Sequence, residues 1–191
     1  MFSLAQRLEL LEEDLKADPP RISAYRDLPF AIFRYEPEEE WTLRKEVRLL
    51  ATRLEESGKK VSIIPMSEFL WEAIARSEGI NSVVELEKER GFAIAQEQVT
   101  TYLSDQDWCP LAELVVGRLE GLCTSVAFLI RAAAMAPGIY HMSKLLDEMQ
   151  GRTSVTTVLF YPGSIEGTTG LRFMALKDRE VLGNYRVKIY G

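Results

Sequence analysis

TTVLFYPGSIEGTTGLRF (residues 156–173) is the stretch on which the fold turns. An apolar, β-rich run, TTVLFY, feeds a segment holding Gly163, Gly167 and Gly170 and the adjacent Thr168 and Thr169. Two readings compete. A phosphate loop needs G-x-x-x-x-G-K-[ST] between a strand and a helix, because the helix N-terminus receives the anion. Counting from Gly163, Thr168 stands where the second glycine belongs, and no lysine follows. The next segment, LRFMAL, reads as a strand and not a helix. Residues 162–170 therefore read as a long β–β connection whose glycines supply positive φ angles. A degenerate nucleotide-binding loop is the alternative. Arg131 and Arg172, both near strand ends, are placed to read a small anion or a partner's acid.

Three further runs share the character of TTVLFY: FAIFRY (30–35), VSIIP (61–65) and SVAFLIRA (125–132). Nearly continuous apolar runs suit parallel strands covered on both faces. Helical signals lie between them. Ser3 can cap a helix over 3–17 with Leu4, Leu8, Leu11 and Leu15 on one stripe, stopped by Pro19 and Pro20. Pro37 and the glutamates behind it mark a second start. Leu43, Val47, Leu50 and Leu54 face inward there, and Gly58 closes the helix. Ser67 reads as the cap of a helix to Ser77. Asn81 opens a longer one to Tyr102, with Gly91 as its weak point. LAELVVGRL (111–119) and 137–150 complete the helices, and FMAL (173–176) and YRVKIY (185–190) are short terminal strands. The expectation is a single α/β domain over 1–191. It has a mostly parallel sheet of about five strands flanked by helices, and a helical insertion around 67–120.

The 191 residues carry 29 acids against 23 bases, a net charge of −6. That balance argues against sequence-independent DNA binding, which depends on neutralising phosphates. No window approaches the roughly 18 apolar residues of a membrane span, and the N-terminus lacks a signal peptide's apolar core. Cys109 and Cys123 are too few for a structural zinc site and are read as reduced. A cytoplasmic protein is expected.

No reactive constellation assembles. His141, the one histidine, has no acid or cysteine at matching spacing and reads as structural. Ser164 in GSIEG misses the G-x-S-x-G turn of a serine nucleophile. The acids of EPEEE (36–40) read as a helix N-terminus, Asp107 as the cap of a turn before Trp108, and ELEKER (85–90) as a solvated helix face. No strand carries the acid-then-E-x-K order of a metal-dependent nuclease. Neither catalytic residues nor cofactor nor metal are expected. Trp41, Trp71 and Trp108 lie on or beside helices; an exposed one would mark a contact site. The contact or loop residues expected are Trp108, Tyr161, Gly163, Gly167, Thr168, Thr169, Gly170, Arg172, Tyr185 and Tyr190.

Three runs carry a family likeness: LEEDLKADPPRISAYRDLPFAIFRYEPEEEWTLRKEV, QEQVTTYLSDQDWCPL and TVLFYPGSIEGTTGLRFMALKDREVLGNYRVKIYG. Together they resemble the BrxB family of BREX, the bacteriophage-exclusion systems of bacteria, over essentially the whole chain. The resemblance implies a small cytoplasmic component of a multi-protein defence system. Its implied companions are a PglZ-like protein of the alkaline-phosphatase superfamily, a PglX-like adenine-specific DNA methyltransferase and a large BrxC-like ATPase. It implies no catalytic residues. The expected function is a non-catalytic assembly component docking a BREX protein, the PglZ-like one first.

Overall fold

The structure, a computed structural model, describes residues 2–22, 28–136, 139–166, 170–176 and 187–191. The first helix, α1 (Leu4–Lys16), opens on a capping box. The Ser3 hydroxyl accepts from the Gln6 amide, and the Gln6 side chain accepts from the Ser3 amide, so two end donors are satisfied reciprocally. Its inward stripe is Leu8, Leu11 and Leu15, as the spacing predicts. Strand β1 (Phe30–Tyr35) is buried along its whole length. A short 3-10 turn, Pro37–Glu39, then leads into α2 (Glu40–Glu56). The expected Leu43, Val47, Leu50 and Leu54 are all buried, and Gly58 ends the helix at φ 87°.

Strand β2 (Val61–Pro65) passes directly into α3 (Met66–Arg76). Pro65 occupies the cap position and no side chain caps the helix, so Ser67 does not play the role its sequence context suggests. The long helix expected from Asn81 is two helices, α4 (Gly79–Arg90) and α5 (Phe92–Ser104). Gly91 separates them at φ 88°, a conformation that costs glycine little and other residues much. Helix α6 (Leu111–Gly121) completes the insertion between β2 and β3 (Val126–Ile130). A 3-10 turn, Ala132–Met135, and α7 (Met142–Met149) follow. Helix α7 is shorter than the expected 137–150, with residues 137 and 138 outside the described residues. Strands β4 (Thr156–Glu166), β5 (Gly170–Phe173) and β6 (Lys188–Tyr190) end the chain.

Among the described residues the sheet has six strands in the order β2-β3-β4-β1-β6, with β5 attached to β4. Every pairing along that order is parallel, and β4–β5 is antiparallel. Side chains alternate between two apolar layers, as the strand period of two requires. Ala31, Phe33, Val126, Phe128, Val158 and Phe160 pack under α1 and α2. Phe30, Ile32, Ala127, Leu129, Leu159 and Tyr161 pack under α3, α5, α6 and α7. The crossover from β1 to β2 runs one way along the sheet beneath one layer. The crossovers from β2 to β3 and β3 to β4 run the other way beneath the opposite layer. That exchange of face with direction is what a single crossover hand demands.

Candidate functional site

The glycine-rich segment is built as an arm at the carboxyl end of the sheet. Strand β4 does not stop at Tyr161. It pairs with β1 as far as Pro162, then runs on through Gly163–Glu166 to pair antiparallel with β5. The expected long connection is therefore mostly strand, and only residues 167–169, outside the described residues, join the two. Strand β5 begins at Gly170 and ends at Phe173, so FMAL is not the strand. Met174 and Ala175 turn away with φ of 55° and 54°. Proline has no amide to donate, and Pro162 sits where the parallel ladder ends and the arm begins.

Space holds Gly163 more tightly than conformation does. A Cβ there would stand 2.1 Å from the Arg172 carbonyl oxygen and 2.9 Å from the Tyr161 ring. The arm's two backbones can approach only because that position has no side chain. The Tyr161 ring packs on Phe173 at 5.3 Å between centroids. Arg172 pairs with Glu166 at 3.3 Å, so its charge is answered within the arm. Arg131 leaves β3 in a left-handed conformation, exposed to solvent. Among the described residues no helix begins after the arm, so none of them turns a helix N-terminus toward it.

The expected contact residues separate on burial. Tyr161 is 1% exposed and belongs to the core, and Gly170 is buried. Tyr190 is 5% exposed and its hydroxyl donates to Asp14 at 2.7 Å, fastening β6 to α1. Neither tyrosine presents a surface. Gly167, Thr168, Thr169 and Tyr185 lie outside the described residues. Trp108 is partly exposed at 37% and packs tilted against Tyr102, with 5.0 Å between ring centres. Tyr102 donates to Glu78 at 2.6 Å; burial first, then that bond and the Glu78 charge, pushes its phenol up to about 12. The structure thus brings together Tyr161, Gly163, Gly170 and Arg172, and puts Trp108 and Tyr190 on other elements.

The remaining site expectations resolve simply. His141 sits exposed just before α7, and its side chain makes no capping bond. The turn before Trp108 is held by Asp105, whose carboxylate accepts from the Asp107 amide at 2.9 Å; the cap is Asp105 and not Asp107. Residues 85–90 carry no buried position. Cys109 and Cys123 are free thiols. Among the described residues no group of three or more His, Cys, Asp or Glu side chains is placed to hold a metal ion.

Sequence reasoning singled out one tryptophan, whereas the structure exposes all three. Trp41 on α2 is 73% exposed and Trp71 on α3 is 59% exposed. A signal for Trp41 was available. At 100° per residue it stands about 200° from Leu43, the first member of the buried stripe, and so on the opposite face.

Among the described residues no helix is long and apolar enough to cross a membrane. Neither a curated protein nor a solved structure matches the chain. A family model described as "BREX protein BrxB" matches residues 62–189. The match is narrower than the whole-chain likeness, since the first of the three resembling runs lies before it. It still takes in the insertion, β3, β4 with its arm, and most of the C-terminal segment, so the chain belongs to the BrxB family and is a component of the BREX phage-defence system.

Proposed function

We propose that this chain works through its surface, as a non-catalytic assembly component of BREX in the cytoplasm. It docks another BREX protein, and the PglZ-like one is the first choice. The observation that carries this reading is the exposure of all three tryptophans, together with Phe2 and Phe92, in a chain whose core is otherwise well filled. Tryptophan is among the residues most enriched at binding hot spots, and large exposed aromatics are what a partner's pocket covers. The net charge of −6 favours a protein partner over bare DNA.

Co-elution tests the reading. The purified chain is mixed in turn with the PglZ-like, BrxC-like and PglX-like companions and passed over a sizing column. A stable complex with at least one is expected, and independent elution from all of them would overturn the proposal. Calorimetry with ATP and GTP and their magnesium complexes serves as the cross-check. Heat at millimolar ligand, lost in Gly163 or Arg172 variants, would turn the assignment to a nucleotide-binding module.

A further inference from the structure

We propose that the outward face of α2 is the docking surface for an acidic, apolar-anchored segment of the partner protein. The inference rests on the docking role just proposed and names the surface and the chemistry that fits it. Helix α2 buries Leu43, Val47, Leu50, Ala51 and Leu54. The opposite side of the same helix carries Trp41, Lys45, Arg48 and Leu49, all exposed. Trp41 and Leu49, at 73% and 53%, are among the most exposed large apolar side chains of the chain. They stand eight positions apart, about two turns along one side of the helix.

The charges of this face are unevenly answered. Arg44 is already answered by Glu40 at 2.7 Å, and Arg53 by Glu12 at 2.6 Å. Lys45 and Arg48 form no ion pair among the described residues. Two cations without an ion-pair partner among the described residues thus flank two exposed apolar side chains, with the half-buried Glu46 at the edge of the face, in a protein with an acidic balance. The Arg44 guanidinium lies 4.6 Å from the Trp41 ring centre. Because Glu40 holds Arg44, the indole is backed by a fixed neighbour and presents its other surface outward. A segment offering carboxylates on either side of an apolar anchor would pair Lys45 and Arg48 while covering Trp41 and Leu49.

A nucleic acid fits less well. Glu36, Glu38 and Glu39 precede the face and Glu55 and Glu56 follow it, so a phosphate chain longer than the two central turns would meet acids at both ends. A short acidic peptide segment spans the cations without reaching them.

The test uses the full chain and whichever BREX companion it binds. Calorimetry compares wild type, Trp41→Ala, the double variant Lys45→Glu/Arg48→Glu, and Lys88→Glu on the exposed surface of α4 as the control. Circular dichroism melts establish that all four fold alike, which is expected because every changed side chain is solvent-facing. Affinity should fall at least tenfold for Trp41→Ala and for the double variant and stay unchanged for Lys88→Glu. Wild-type affinity should weaken with added salt. If wild type binds a companion and both α2 variants bind it equally well, this face is overturned while docking stands. If wild type binds none of the companions, both fall. Binding of a mixed-sequence DNA duplex that is abolished in the double variant would assign the face to nucleic acid and overturn the proposal.

Discussion

Gly163 stands directly against the backbone of Arg172: a Cβ at Gly163 would reach 2.1 Å from the Arg172 carbonyl oxygen. The obstacle is main chain, so no rotamer change can relieve it. Gly163→Ala must push β5 away from β4 and disturb the Tyr161–Phe173 packing beneath. Overpacking of this kind costs about 1–3 kcal/mol. For a domain of this size that is a fall in Tm of roughly 2–12 °C. Thermal denaturation followed by circular dichroism measures it. An unchanged Tm would show that the arm is free to shift and does not hold the shape argued for it.

Gly117 should behave in the opposite way. It lies in the middle of α6, where an added Cβ would meet nothing within 4 Å. The position faces an open groove of about 420 Å³ between α3 and α6. Glycine inside a helix costs roughly 0.5–1 kcal/mol relative to alanine. Gly117→Ala is therefore expected to raise Tm by about 1–4 °C in the isolated chain. The pair of substitutions separates a glycine required by contact from one that the chain alone does not require. A lowered Tm for Gly117→Ala would mean that the groove closes on α6 in solution.

Asp14 ties α1 to the last strand, accepting from Lys188 and from the Tyr190 hydroxyl. Burial raises its carboxyl pKa, but the bonds from Lys188 and Tyr190 and the charges of Lys188 and Arg21 together outweigh that and hold it below the ordinary value. A folded-state pKa below the unfolded one adds stability above the usual carboxylate range. That stability is lost as pH falls through the folded-state value. Asp14→Asn should thus cost roughly 1–2 kcal/mol at neutral pH, by the worth of a charged hydrogen bond partly screened by solvent. The gap from wild type should shrink steadily in acid. Urea titrations from neutral to acidic pH give the curve, and a gap that widens in acid would contradict the assignment.

Much of this architecture is legible before any coordinates are known, for a physical reason. β1, β3 and the first half of β4 are buried on both faces, so FAIFRY, SVAFLIRA and TTVLFY are nearly continuously apolar, broken only by Arg34, by Arg131 and by hydroxyl side chains at the strand starts. A strand that must fill two layers cannot look like anything else. Pro37 and Gly58 bracket α2 because backbone chemistry at helix ends is local. Strand order is not local, and nothing in the runs themselves says that β1 lies between β4 and β6. Nor is the arm legible. Pro162 and Gly163 look like punctuation, and only the approach of Arg172 from the partner strand makes them part of a strand. Phe173 sits in both the expected FMAL and the observed GLRF, so apolarity alone could not place the strand's end.

The candidate site was less readable than the fold, because an aromatic residue's exposure depends on what lies above it. Tyr161 ends an apolar run and Trp41 follows three glutamates, and neither setting states what covers the ring. One sits beneath the insertion and the other on the open side of α2.

The Arg7–Arg34 junction supplies a last test, in which two effects oppose each other. Both arginines are buried, and the Nε atoms of both lack a partner. Arg7 donates to the Arg34 carbonyl and lies 5.3 Å from the Phe33 ring centre, with Glu39 at 3.7 Å. Arg34 pairs with the more exposed Glu36. Burial and then the Arg34 charge lower the Arg7 pKa, so removing either arginine relieves some repulsion. Only the loss of Arg7, however, leaves a buried carbonyl without its donor, which costs about 1–3 kcal/mol. Arg7→Met should therefore destabilise by that amount in urea unfolding. Lysine at position 7 should not restore the loss, since a compact ammonium lacks the guanidinium fork. Arg34→Met should cost less, because the Arg7 bond goes to the main chain and survives the change, and Glu36 can turn to water. An Arg34→Met penalty equal to or above that of Arg7→Met would place the junction's strength in the Arg34–Glu36 pair instead.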